Sequence, residues 1–367
     1  MDKLSQIALS LIPGLGAISC RRLMEIYPDE DIFALSPAEL NATFGGHKDI
    51  AEAIVRKSTH TRAEEELRFC ERYHIRPLFF TEPNFPQRLN RDETADCPVV
   101  LYVQGEIDLN PERSLAVVGT RHATAQGRDN TDRIVGQLQP LGLPIVSGLA
   151  YGIDTAAHTA ALDHGLPTVA VLGHGLDRIY PGANRSLATR IVEQGGALVT
   201  EYLSGTAIQA GNFPARNRII AALADAVVVV EASEKGGALI TATIASGYHR
   251  DVFAVPGRLS DTYSRGTNNL IANNKALLLR DADDLVMQMG WPALTPESEG
   301  VQQSLFPQLS DEERRLVELL HKNQSLTLDA MVSLTGMSMP KLASLMFNLE
   351  MRKAVRLLPG HCYEPLV

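Results

Sequence analysis

Residues 168–200 read TVAVLGHGLDRIYPGANRSLATRIVEQGGALVT, and the fold class turns on this stretch. It opens on an apolar run (Thr168–Leu172), turns at Gly173-His174-Gly175, continues through a helix-length segment (Ala183–Val192) and closes on a second apolar run (Ala197–Thr200). A strand without polar alternation is buried on both faces, and a helical crossover between two such strands makes them parallel. The unit recurs on either side, with apolar runs at Leu115–Val118, Leu143–Val146, Ala226–Val230 and Val252–Val255 and another helix-length segment at Asn217–Ala224. The pattern predicts an α/β domain, a Rossmann-like doubly wound parallel sheet whose ligands bind at the carboxyl ends of the strands.

Outward from this domain the chain changes character. Residues 1–60 read as short helices, with Ile12-Pro13-Gly14-Leu15-Gly16 as the turn of a helix-hairpin-helix (SAM-like) unit and a second helical pair over Leu35–Val55 turning at Gly45-Gly46. Such a hairpin either offers backbone N–H groups to phosphates or serves as a packing module. Residues 61–290 form the extended Rossmann-like domain, entered through a charged helix (Thr61–Tyr73) and a strand at Pro98–Val103. A Pro-, Ser- and Glu-rich segment at 291–309 reads as a linker. Residues 310–367 then give three helices and a hairpin turning at Pro359-Gly360, the pattern of a winged helix. Its third helix carries Lys341 but is otherwise Leu, Ala, Ser and Met, which favours a partner-binding role over groove reading.

At 367 residues with 45% hydrophobic and 21% charged content, the composition is that of an ordinary globular protein. The sequence has no membrane-length apolar run and no signal-peptide pattern, so a cytoplasmic protein without membrane association is expected. Cys20, Cys70, Cys97 and Cys362 are scattered, so neither a zinc site nor a disulfide framework is expected. The net charge of −9 is unevenly spread: Arg113–Arg280 holds 15 Lys+Arg against 12 Asp+Glu, and 13 of those 15 are arginine. That bias suits fixed, forked contacts to anions.

Each strand of the central domain ends in a distinctive cluster. These are Gly119-Thr120-Arg121; Ser147-Gly148 followed by Tyr151-Gly152-Ile153-Asp154 and His158; Gly173-His174-Gly175 followed by Tyr180-Pro181 and Asn184-Arg185; Asn212-Phe213-Pro214-Ala215-Arg216-Asn217-Arg218; Lys235-Gly236-Gly237 followed by Thr241; and Pro256-Gly257-Arg258. Glycine, hydroxyl and arginine repeated along one sheet edge make a floor of N–H donors with cationic walls, as a phosphate-bearing ligand needs. Phe213 adds a flat face for a base. Taken singly, Asn212–Ile220 reads equally as a capped helix with solvated arginines, Asp154 as a helix cap and His158 as a packed helix histidine. A dinucleotide cofactor is not expected, because Gly173-His174-Gly175 lacks the third glycine of GxGxxG, and there is no P-loop. No catalytic constellation emerges, so neither a catalytic residue nor a metal is expected.

In order along the chain, Val118-Gly119-Thr120-Arg121, SGLAYGIDTAAH (147–158), AVLGHGLDRIYPGANRSL (170–187), NFPARNRIIA (212–221), KGGALITA (235–242), VFAVPG (252–257) and GTNNLI (266–271) resemble the DNA-processing DprA (Smf) family. The resemblance implies a single-stranded DNA-binding protein without established enzymatic activity. It implies protection of incoming single-stranded DNA in natural transformation, loading of the recombinase RecA, and a homodimer formed through the Rossmann-like domain. Carried over by motif, Gly119, Thr120, Arg121, Ser147 and Gly148 line a phosphate pocket, and Tyr180, Asn184 and Arg185 border it. Phe213 stacks or wedges a base, Arg216, Asn217 and Arg218 add polar and cationic contacts, and Lys235, Gly236, Gly237 and Thr241 complete the floor. This chain departs from the family in carrying Thr120 for serine and Gly236-Gly237-Ala238 where the family pattern has two hydroxyls. Two rival readings are a nucleotide-processing enzyme of the phosphoribohydrolase-like Rossmann class and a protein-interaction scaffold. The first resembles Gly236–Thr241 in its GGxGTxxE loop, but no glutamate follows Thr241 at the required spacing.

Overall fold

The computed structural model describes residues 1–28, 31–44, 48–294, 310–323, 325–351, 354–358 and 362–365. The Gly45-Gly46 turn, nearly all of the linker and the Pro359-Gly360 turn lie outside these residues. Contacts divide the chain into two units, Met1–Leu294 and Thr295–Val367.

The first unit begins with helices α1 (Lys3–Ser10), α2 (Ala17–Ile26), α3 (Pro37–Phe44), α4 (Lys48–Val55) and α5 (His60–Arg72). The sheet-forming part follows as β1 (Arg76–Phe79), β2 (Val100–Gly105), β3 (Leu115–Val118), α6 (Ala125–Gln137), β4 (Ile145–Ser147), α7 (Ile153–Asp163), β5 (Thr168–Val171), α8 (Arg185–Glu193), β6 (Ala197–Thr200), α9 (Asn212–Leu223), β7 (Ala226–Val229), α10 (Gly237–Gly247), β8 (Asp251–Ala254), α11 (Arg265–Ala272), β9 (Leu277–Leu278) and α12 (Ala282–Met289). The strands form one sheet in the order β1-β2-β6-β5-β4-β3-β7-β8-β9. From β6 to β9 all pairings are parallel, while β1 and β2 add antiparallel strands at the β6 edge.

Each parallel strand is apolar on both faces because each face is covered. In β3, Leu115 and Val117 join the core of α6, α7 and α12, whereas Ala116 and Val118 join that of α9 and α10. The order runs β3, β4, β5, β6 one way, then restarts on the other side of β3 with β7, β8, β9. The reversal lies between β3 and β7, where open α/β sheets present a crevice. The connection that makes this jump carries α9 across β5, β4 and β3.

The N-terminal helices pack into the same core as α9. Arg21 of α2 bolts them on: its guanidinium donates to Leu89 O (3.0 Å), Pro98 O (3.2 Å) and Asn90 Oδ1 (2.8 Å), and it sits over the Phe80 ring. From α5, Glu66 accepts from Ser204 N (2.9 Å) and Oγ (2.6 Å), and Arg62 donates to Ser204 O (2.6 Å). The loop leading into α9 is therefore held by the helical block.

The second unit comprises α13 (Asp311–Asn323), β10 (Leu326–Thr327), α14 (Leu328–Thr335), α15 (Met339–Met351), β11 (Val355–Leu358) and β12 (Cys362–Pro365), with sheet order β10-β12-β11 around a core of Leu316, Leu320, Met331, Leu342, Met346 and Leu349. This is a winged helix. Leu326 and Thr327 pair with β12, and the Thr327 hydroxyl caps α14 by accepting from Ala330 N. Lys341 on the third helix is tied to Glu312 at 2.6 Å, while Phe347 is exposed.

Candidate functional site

The strand-end clusters meet at the carboxyl edge, around the loop that follows β3. Gly119 sits against Ile153, where a Cβ would come within 2.5 Å of the Ile153 side chain. Thr120 is anchored through its backbone, its N–H donating to Glu231 O (2.8 Å) and its carbonyl accepting from Ile153 N (3.1 Å). These bonds leave Arg121 projecting freely. Its guanidinium carbon lies 5.4 Å from the centroid of the Phe213 ring, and Tyr180 lies on the same ring at 5.7 Å between centroids, tilted by 40°. Tyr180, 43% exposed, and the half-buried Phe213 thus form an aromatic floor capped by a cation. The Phe213 ring lies over Gly173, so the Gly-His-Gly turn gives it room.

Phe213 takes this position because α9 starts at Asn212, earlier than the apolar pattern suggests, placing Pro214 in the first turn where its missing N–H costs nothing. The rest of the motif is then distributed by helical geometry. Arg216 points beneath the edge: it is 3% exposed and donates from Nη1 to Gly148 O (2.7 Å) and to Val171 O. Burial lowers its pKa to about 10, and the nearby Arg121 charge adds to the effect. Gly148 lacks a side chain for a physical reason, since a Cβ there would fall 2.4 Å from Arg216 Nη1. Asp154, buried beside this cation, has its carboxyl pKa raised by burial, partly countered by Arg216.

Arg218 turns to the opposite side of α9 and pairs with Glu201 at 2.6 Å. Burial opposes its charge, but the Glu201 carboxylate outweighs that and raises its pKa. Neither arginine of the motif therefore presents its fork at the edge beside Phe213. Ser147 is fully buried and donates to Val117 O (2.7 Å), and Asn184 donates to Leu149 O and Thr155 Oγ1 (both 2.9 Å). These two side chains brace loops. Thr241 is buried within α10 and Asn217 is half-buried on α9.

Arg185, at the first position of α8, and Lys235, before α10, are exposed. Gly236 and Gly237 open α10, whose N-terminus has no side-chain cap. Glu231, at the end of β7, accepts from Thr124 Oγ1 (2.6 Å) and Thr124 N (3.0 Å), which spends both oxygens on the start of α6. His158 is buried with Nδ1 2.7 Å from Thr168 Oγ1. Burial lowers its pKa to about 3, so it is a neutral packing residue.

Two further rings, outside the strand-end motifs, stand at this edge. His122, next to Arg121, stacks on Tyr263 with 6.1 Å between centroids and 24° between planes. An aromatic within a loop between two strand-end motifs, as Tyr263 stands between Gly257 and Gly266, was the available signal. Among the described residues, no cluster of three or more His, Cys, Asp or Glu side chains is placed to hold a metal, and no helix is long and apolar enough to cross a membrane.

Residues 76–290 match the family model for DNA recombination-mediator protein A, and residues 302–361 match that for the DprA winged helix domain. Protein Smf of Synechocystis is 36% identical over 310 residues, spanning 82% of this chain and 75% of the relative. The DNA processing protein DprA of Streptococcus pneumoniae is 44% identical over 230 residues, 59% of this chain and 80% of the relative. The X-ray structure of the Streptococcus pneumoniae DprA aligns with a TM-score of 0.68 at 31% identity, covering 78% of this chain and 98% of that one. A Helicobacter pylori DNA processing protein A, solved for its single-stranded DNA binding mode, aligns with a TM-score of 0.53 at 30% identity, covering 59% and 96%. With both its sheet domain and its winged helix matched, the chain belongs to the DprA (Smf) family of DNA recombination-mediator proteins.

Proposed function

We propose that this chain binds single-stranded DNA along the carboxyl edge of its sheet, as a binding protein and not an enzyme. The observation that carries the reading is the Arg121–Phe213–Tyr180 group: one free guanidinium above two accessible rings. A base stacks on the rings and its phosphate meets Arg121. Further phosphates reach the Gly119 backbone and the Thr120 hydroxyl, the exposed Arg185 and Lys235, and the open N-terminus of α10 at Gly237. Arg216, Ser147, Gly148, Asn184 and Thr241 serve as the frame beneath these contacts, and Arg218 with Asn217 fixes α9.

Unpaired bases can lie flat on a ring, whereas stacked and paired bases cannot, so single strands are preferred to duplex. In the cell this binding protects incoming single strands in the cytoplasm during natural transformation and hands them to the recombinase RecA. The working form is a homodimer. Its contact surface includes the free edge of β9, where Leu277 and Leu278 are both exposed. The apolar third helix of the winged helix, with Phe347 outermost, suits a protein partner better than a DNA groove.

The test is fluorescence anisotropy of a labelled oligothymidylate against a duplex of equal length, over a salt series. The expected result is preferential single-strand binding, weakened in Phe213→Ala by one stacked base, about 1–3 kcal/mol. Equal affinity for duplex, or an unaltered Phe213→Ala, would overturn the reading.

A further inference from the structure

We infer that His122 and Tyr263 form a second base-stacking platform, which extends the strand's path past the β3 loop toward the end of β8. The inference rests on the single-strand reading above and adds a second, separable subsite to it. Arg121 and His122 are consecutive residues at the strand-order reversal, yet they serve opposite sides of it. Arg121 reaches the Phe213 ring on α9, while His122 reaches Tyr263 in the loop between β8 and α11. A strand leaving the first platform across Arg121 therefore meets the second pair next.

That second pair is built to stay in place. Tyr263 O accepts from Ala232 N (2.7 Å), and Ala232 O accepts from Gly266 N (2.8 Å), tying the loop to the end of β7 at Tyr263 and again three residues on. Asn268 closes the loop's other end by donating to Gly257 O (3.0 Å) and accepting from Gly257 N (3.1 Å). On the β3 side, His122 N donates to Thr120 Oγ1 (3.2 Å). Two nearly parallel rings held by separate loops offer a flat surface with little ordering entropy left to lose.

Cations flank the rings where a backbone would run. Arg258 is exposed in the same loop, and Arg265 follows Tyr263 by two residues, 4.0 Å from Glu234. Between the start of α6 and the loop that carries Tyr263 opens a cavity of about 720 Å³ bordered by Thr124, Arg258 and Ser264 and by the carboxylates Glu231 and Asp261.

The experiment titrates the full chain with oligothymidylates from about 4 to about 16 nucleotides long. His122→Ala with Tyr263→Ala is expected to bind the shortest oligomers as wild type does and the longest about tenfold more weakly, the worth of one lost stack. His122→Phe with Tyr263→Phe, which keeps both rings, is expected to retain wild-type affinity at every length. Wild-type binding of long oligomers by the double alanine variant, or an equal loss at all lengths, overturns the second platform. Phe213→Ala in the same series reports on the first platform separately. If it weakens short oligomers while the double alanine variant changes nothing, the single-strand reading stands and this inference falls.

Discussion

Replacing Arg216 by alanine separates frame from ligand. The guanidinium is buried and donates to the carbonyls of Gly148 and Val171 at the ends of β4 and β5. Truncation leaves those acceptors without their donor, at about 1–3 kcal/mol each. It also opens a cavity beside Asp154. Against this stands release of the cost of burying a cation, visible in the fall of the Arg216 pKa to about 10. That shift corresponds to about 3 kcal/mol at 1.36 kcal/mol per unit, so it cancels much of the loss. The net expectation is destabilisation by about 2 kcal/mol, a large part of a typical 5–15 kcal/mol. Urea unfolding reads it directly, because Trp291 is the chain's single tryptophan and packs against the core of α6 and α7. The midpoint should fall by about 1 M for a slope of about 2 kcal/mol per molar. Binding measured on the folded protein should keep its salt slope. An unchanged midpoint together with lost DNA affinity would show that Arg216 contacts the strand, and would refute the assignment of its guanidinium to the frame.

Arg121→Ala should lower DNA affinity and reduce the slope of log affinity against log salt by about 0.7, as one phosphate contact on a single strand would; an unchanged slope in anisotropy titrations would count against it. Arg218→Ala, which breaks the pair with Glu201, should lower the unfolding midpoint while leaving single-strand affinity within about twofold, since such a pair is partly buried and faces away from the edge. For pH, the folded pKa of His158 is depressed to about 3 from 6.5, so the unfolded state binds the extra proton and stability is lost as pH falls from about 6.5 toward 3. Between pH 7 and pH 5 this amounts to about 2 kcal/mol, and His158→Asn should flatten that part of the stability–pH curve measured by urea titration. Leu277→Lys with Leu278→Lys should convert a sedimenting dimer into a monomer at micromolar concentration without changing the thermal midpoint by more than a few degrees.

The central strands were legible because full burial writes itself as unbroken apolar runs: Ala197–Thr200 and Leu115–Val118 stand in the structure as the pattern has them. The edge strands were not, since β9 is only two residues long and β1 is half-exposed. The gathering of the strand-end clusters along one edge was legible for the same reason as the strands, because the loops that follow parallel strands all open on one side of the sheet. The division of labour within it was not. Arg216 and Arg218 are two residues apart, about 200° around a helix: Arg216, three residues on from Phe213, shares its side of α9 but is drawn beneath the edge by the Gly148 and Val171 carbonyls, while Arg218 faces Glu201. Residue type likewise does not show that the side chains of Ser147 and Asn184 are engaged with Val117, Leu149 and Thr155. Only three-dimensional contacts reveal which polar groups are already engaged.

The restart of strand order beside β3 also decides how a ligand enters and leaves. The helix after β3 descends on one face of the sheet and the helix after β7 on the other, so no covalent connection between these two strands spans the crevice. Among the described residues of the first unit, the groups that reach over it are side chains, Arg121 and His122 foremost, and side chains can part. A long strand is then laid in sideways rather than threaded, and needs no free end. On the single-strand reading proposed above, a covalently closed single-stranded circle and a linear strand of equal length are expected to bind alike, with no need of a free terminus.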